Sequence, residues 1–157
     1  MSIENSPFGD VGFDMEDMRI AKNRLREEGL TLSIVKEKQI LFETSSHGIS
    51  GFLNAIEELG EGLSKASAAD KVVGKAVALL CVWAGIDAVY GSVMSRKAEE
   101  LFEENSVYAE WDELVETIVG NCKSTTCPFE RLAAKITDPA EAYKKIKALQ
   151  DSLKQHR

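Results

Sequence analysis

Residues 70–85, DKVVGKAVALLCVWAG, decide the fold. They open with an acid and two lysines and then run from position 76 to position 84 without a polar side chain. A helix that is apolar all round has to be buried on every side, so the stretch reads as a central helix inside a layered domain, its polar start facing a site. Asp70 stands where an N-cap would accept an otherwise unpaired backbone donor. Lys71 and Lys75 are four apart and share a face in or beside the first turn. Cations there oppose the helix dipole at a cost of roughly 0.3 kcal/mol each, which something must offset. Gly74 and Ala78 flank the same face and let a ligand or another backbone come close. Two readings follow. Either free amides and two ammonium groups converge on a phosphate or carboxylate, or the lysines pair with Asp70 and nearby acids or reach to water.

Working outward, residues 1–13 lack periodicity and read as a loose arm. Asp14 then caps an N-terminal helix over residues 14–29, with Met18, Ala21 and Leu25 on one face and Gly29 as its stop. Residues 30–35 (LTLSIV) and 39–43 alternate as two strands of a hairpin, turning at Glu37 and Lys38. After the polar loop TSSHG at 44–48, Ile49, Phe52, Leu53, Ile56 and Leu59 form a helical stripe ended by Gly60. Residues 60–69 read as a Gly/Ser/Ala connection. Beyond the central helix, residues 87–94 read as a buried strand, Ser95 caps a helix stopped by Asn105, and residues 107–111 form another strand. Residues 112–121 fit a short helix or a fifth strand centred on Ile118 and Val119, and the strand is preferred. Pro128 and Glu130 open a helix to Ile136. Asp138, Pro139 and Glu141 open a terminal helix whose inward stripe is Ala142, Ile146, Leu149 and Leu153. Alternating strands and helices in the second half imply parallel strands, and the hairpin makes the sheet mixed. The expectation is an α/β fold with about five strands, in which residues 30–157 form a single domain.

At 157 residues one domain suffices, and 44% hydrophobic with 29% charged residues is ordinary for a soluble protein. A net charge of −7 argues against wrapping nucleic acid, which needs a positive face. The apolar run at 76–84 is too short for a membrane span and no signal pattern opens the chain, so the expected location is cytoplasmic with no membrane partner. Cys81, Cys122 and Cys127 lack metal-type spacing and fit a reducing compartment. No metal or cofactor is expected.

Cys127, at a helix N-terminus, has the setting that lowers a thiol pKa, and Glu130 one turn on could exchange its proton. The plainer reading has Cys127 and Glu130 as helix caps. A reversible link between Cys122 and Cys127 is a further option, whereas Cys81 reads as a core residue. His47 stands in a loop before a helix start, where it would titrate near neutrality or simply lie exposed. Ser45, Ser46 and Gly48 could cradle an anion there. No glycine-rich phosphate motif is present.

Four segments, SSHGISGFL after the hairpin, ADKVVGKAVALL, SRKAEELF and CPFE, together resemble a family of unknown function. Its members look like the cytidine-deaminase fold without its zinc chemistry. The resemblance spans about residues 30–149, with DKVVGKA and CPFE as its best motifs. It implies a three-layer α/β/α sandwich, cytidine-deaminase-like, with a mixed sheet of about five strands and a site where the central helix starts. True deaminases hold zinc at two helix starts, with His or Cys plus a catalytic Glu at one and Pro-Cys-x-x-Cys at the other. Here those starts are matched to Asp70, Lys71 and Lys75, and to Ser95, Arg96, Lys97 and Ala98. Cations in place of ligands leave no metal-bound hydroxide.

The expected function is binding of an anionic, nucleotide-like small molecule at Ser46, His47, Gly48, Asp70, Lys71, Gly74, Lys75, Ser95 and Cys127. An enzymatic version makes Cys127 the nucleophile, Glu130 its proton partner, and Lys75 or Lys71 the group that binds or activates the anion. The alternative is a non-enzymatic oligomerisation or interaction domain, with a homo-oligomer expected. A third reading, a cysteine redox sensor, needs Cys122 and Cys127 to outreact Cys81.

Overall fold

The structure, a computed structural model, describes residues 15–46, 49–118 and 127–155. The elements run α1 (Met15–Glu27), β1 (Leu32–Lys36), β2 (Gln39–Thr44), α2 (Ser50–Leu59), a 3-10 turn (Gly60–Leu63) and β3 (Ser67–Val73). They continue with α3 (Lys75–Ala84), β4 (Ala88–Ser95), α4 (Arg96–Glu104), β5 (Tyr108–Val115), α5 (Pro128–Ala133) and α6 (Pro139–Gln155). One five-stranded sheet has the order β2-β1-β3-β4-β5. β1 is antiparallel to both β2 and β3, while β3, β4 and β5 run parallel. The carboxyl ends of the three parallel strands therefore meet at one edge of the sheet, where open α/β sheets place their ligands.

Helices cover both faces. On one, Met18, Ala21 and Leu25 of α1 pack on Val35, Ala69, Ala88 and Tyr90. On the other, α2, α3 and α4 lay Phe52, Leu79, Leu80 and Phe102 on Ile34, Ala68 and Val89, and Ala142 and Ile146 of α6 join the same core. Asp17 ties α1 to the hairpin. Its carboxylate, 3% exposed, accepts the N–H groups of Glu37 at 2.9 Å and Lys38 at 2.7 Å. Those two turn residues have φ of 52° and 65°, the left-handed pair that a tight hairpin turn requires.

The α/β fold and mixed five-stranded sheet agree with expectation, but one strand differs. Residues 67–73, SAADKVV, form β3, the central strand, where the spacing predicted a connection and the first turn of a helix. Alanine and lysine favour a helix. Pairing with β1 on one side and β4 on the other overrides that preference, because these backbone groups then find partners in a buried sheet. Asp70 is consequently a strand residue and caps no helix. Lys71 and Lys75 lie on a strand and a helix, so they share no helical face.

The later strand expected at residues 112–121 also differs. Its first part continues β5 to Val115, Glu116 to Ile118 follow outside any strand, and Val119 lies outside the described residues. Helix α3 is buried from Ala76 to Cys81, but Trp83 is 45% exposed and stacks on Tyr143 at 5.8 Å. It is enclosed on every side for its first two turns only. Leu153 in α6 is likewise exposed. Asn105 closes α4 as expected, its amide donating to Leu101 O at 2.9 Å. Asp138 opens α6, accepting the Glu141 N–H at 3.0 Å.

Candidate functional site at the strand carboxyl ends

Gly74 joins β3 to α3 in an extended conformation and gives the helix no side-chain cap. The cap comes from α5. Glu130 Oε1 accepts the Lys75 N–H at 2.8 Å and Oε2 accepts the Ala76 N–H at 2.9 Å. A Cβ at position 74 would lie 2.5 Å from the Glu130 carboxyl group, so any residue but glycine there would have to displace that carboxylate. The position where the sequence suggested an external anion thus holds the chain's own carboxylate, which also offsets the cost of a lysine in the first turn. Glu130 faces α3 with both oxygens engaged.

Beside this contact lies a cavity of about 230 Å³ lined by Lys75, Ser95, Lys97, residues 116–118, Glu130, Arg131 and Ala134. A larger, open cavity of about 550 Å³ shares Lys75 and Lys97 with it and adds Glu100, Leu101, Glu104, Asn105 and Thr137. The elements that build the smaller cavity all end or begin at the carboxyl edge of β3, β4 and β5. Ser95 terminates β4 and is 2% exposed; its Oγ accepts the Ala98 N–H at 3.1 Å, fixing where α4 starts. That cap projects Arg96 and Lys97 at the rim.

The charges there do not cancel. Glu116 is held by Arg96 at 2.8 Å, and Glu130 is held by the α3 amides. Among the described residues, Lys75, Lys97 and Arg131 form no ion pair with a carboxylate, and the Lys75 ammonium reaches only Ala134 O at 3.5 Å. The smaller cavity is therefore cationic although the chain as a whole carries −7.

Of the sequence-predicted site residues, Gly74, Lys75, Ser95 and Glu130 come together here. Ser46 is exposed after β2; its carbonyl accepts the Thr31 hydroxyl at 2.6 Å and it lines neither cavity. His47, Gly48 and Cys122 lie outside the described residues. Lys71 is exposed on β3, with its N–H on Thr31 O at 3.1 Å. Cys127 occupies the position before α5, half-buried, and its side chain makes no capping bond. Lys97 and Arg131 belong to the cavity without having been chosen from sequence; the signal for Lys97 was its place two residues after the Ser95 cap.

Asp70 is half-buried in β3 and accepts the Val72 N–H at 3.2 Å. Burial pushes its carboxyl up to about 7, against the pull of the Val72 and Lys71 amides. Burial, and then the charge of Asp70, push the Cys81 thiol well up. Among the described residues, no three His, Cys, Asp or Glu side chains converge as a metal site would require. Among them, too, no helix is long and apolar enough to cross a membrane.

A family model described as TM1506, a domain of unknown function (DUF1893), matches residues 20–150. The chain is also similar to the crystal structure of a DUF1893 family protein (TM1506) from Thermotoga maritima. The TM-score is 0.79 at 24% identity, covering 86% of this chain and 90% of that one, a likeness of fold. No curated protein matches the chain.

Proposed function

This chain belongs to the DUF1893 family, whose function is unknown, and from that premise we propose that the cleft at the carboxyl ends of β3, β4 and β5 binds a small anion. The carrying observation is the set of three cations, Lys75, Lys97 and Arg131, around one cavity whose two carboxylates are already engaged. A phosphate- or carboxylate-bearing metabolite complements that charge, and a nucleotide-like body would extend into the larger neighbouring cavity. The hairpin followed by parallel strands with helix starts at one edge also suits the cytidine-deaminase-like reading. Zinc hydrolysis does not go with it, because the starts of α3 and α4 present Lys75 and Arg96 where ligands would stand. Nor does this proposal include a Cys127–Glu130 pair, since Glu130 has both oxygens on α3.

Thermal shift with inorganic phosphate, pyrophosphate and a nucleotide panel tests the reading. Stabilisation of the wild type, reduced in Lys75→Ala and Lys97→Ala, supports it. Absence of any shift across the panel contradicts it. A second reading, a subunit that assembles through its sheet, rests on β5. That strand pairs only with β4 among the described strands, and its Trp111 is 37% exposed. Light scattering of the wild type and Trp111→Glu separates the two: a dimer lost in the variant supports assembly, and a monomer throughout rejects it.

A further inference from the structure

We propose that Glu130 is a latch that holds α5 as a movable wall of the cleft, a regulation of the site proposed above that rests on that reading. Lys75 is gripped by α5 and the turn after it at both of its ends. Its N–H donates to Glu130 Oε1 at 2.8 Å and its ammonium donates to Ala134 O at 3.5 Å. The other Glu130 oxygen takes the Ala76 N–H at 2.9 Å.

The economical way to cap α3 is a Ser, Thr, Asn or Asp just before it. This chain has Gly74 there, and brings the cap from a residue 55 positions away. The two positions are built for each other, since any side chain at 74 would strike the Glu130 carboxyl group at 2.5 Å. Helix α5 has six residues, too few to persist as an isolated helix, so its place depends on what docks it. Ala133 is buried, Phe129 and Leu132 are half-buried against the core, and the Glu130 carboxylate supplies the polar part of the attachment.

Seating of Glu130 therefore fixes the side of the cavity formed by Arg131 and Ala134. In this latched state Ala134 O already takes the Lys75 ammonium, and the Glu130 carboxylate, held on the Lys75 and Ala76 amides, adds a negative charge to the cavity lining. An anion arriving at the Lys75 ammonium competes with Ala134 O and is repelled by the seated Glu130 carboxylate, so anion binding and latching weaken each other to the same degree. The latched conformer is the one the structure shows. Unseating the Glu130 carboxylate, rather than removing α5 and its Arg131 from the cleft, gives the state with higher affinity for anions.

Hydrogen exchange read by mass spectrometry on the full chain, with and without inorganic pyrophosphate, tests this. The variants are Glu130→Gln, whose amide NH₂ group opposes one of the two backbone donors, and Gly74→Ala, which expels the carboxylate sterically. Each is expected to raise exchange across residues 129–134 by at least about tenfold while leaving β4 unchanged. Each is also expected to bind pyrophosphate at least about fivefold more tightly than the wild type. Unchanged exchange in α5 overturns the latch whatever binds. Loosened exchange with unaltered pyrophosphate affinity overturns its coupling to the cleft. Loosened exchange with no pyrophosphate bound by any variant or by the wild type overturns the anion reading, and the regulation with it. If Gly74→Ala fails to fold by circular dichroism, Glu130→Asp, which withdraws the carboxylate by one methylene, reads the same contact.

Discussion

Replacing Asp70 by Asn should make the protein more stable above neutral pH and leave it nearly unchanged in acid. Asp70 sits in the central strand with its carboxyl pushed up to about 7 by burial, against an ordinary 3.8. The native state thus holds this proton more tightly than the unfolded chain does. For an acid with a raised folded pKa, stability is complete below the unfolded value, drains away as pH climbs from about 4 to about 7, and stays low above that. A gap of about three units at ~1.36 kcal/mol each sets an upper bound of about 4 kcal/mol. Asp70 is half-buried, and water reaching it reduces the expected effect to about 2 kcal/mol. Asparagine keeps an oxygen for the Val72 N–H and carries no charge at any of these pH values. Urea unfolding of both proteins, followed by circular dichroism from pH 4 to pH 8, yields the difference directly. Carboxylates whose pKa values are lowered in the native state, such as Glu43 beside Arg24, affect both proteins equally and cancel. A stability difference that stays constant across the range would refute the reasoning.

Three further outcomes are expected. Asp17→Ala strips the Glu37 and Lys38 amides of their carboxylate and should cost about 2–3 kcal/mol in urea unfolding; a loss below about 0.5 kcal/mol would show that α1 does not brace the hairpin turn. Leu79→Ala, at a fully buried position of α3, should cost about 2–5 kcal/mol, and a neutral result would contradict the placing of this helix in the core. Thiol labelling read by mass spectrometry should modify half-buried Cys127 at least about a hundredfold faster than buried Cys81, whose thiol is pushed up. Equal rates would show that Cys81 is reached by local opening.

What was legible in the sequence was whatever rests on strong local signals. The stripe Met18, Ala21 and Leu25, the Gly29 stop, the hairpin, the Ser95 and Asp138 caps and the β4 strand all announce themselves through spacing or capping chemistry. β3 is hidden because Ala68 and Ala69 are small residues of high helix propensity, which let a central strand lie between packed layers. Local spacing therefore places Asp70 and Lys71 on the helix that follows, whereas they lie on the strand before it. Glu130 illustrates the other limit. Its motif fits a cap for its own helix, whereas it caps α3, and a contact across 55 positions leaves no trace in local spacing. Lys97 and Arg131 meet at the cavity only because β4, α4 and α5 converge there.

The claim that three cations at the strand carboxyl ends form an anion site is tested most directly by titrating the isotopically labelled protein with inorganic pyrophosphate and following backbone amide shifts. Saturable shifts confined to Lys75, Ala76, Ser95 to Lys97, Thr117, Ile118 and residues 129–134, abolished in Lys75→Ala, are the expected result. Shifts absent from that set, or centred instead on the exposed Lys71 and Ser46, would contradict it.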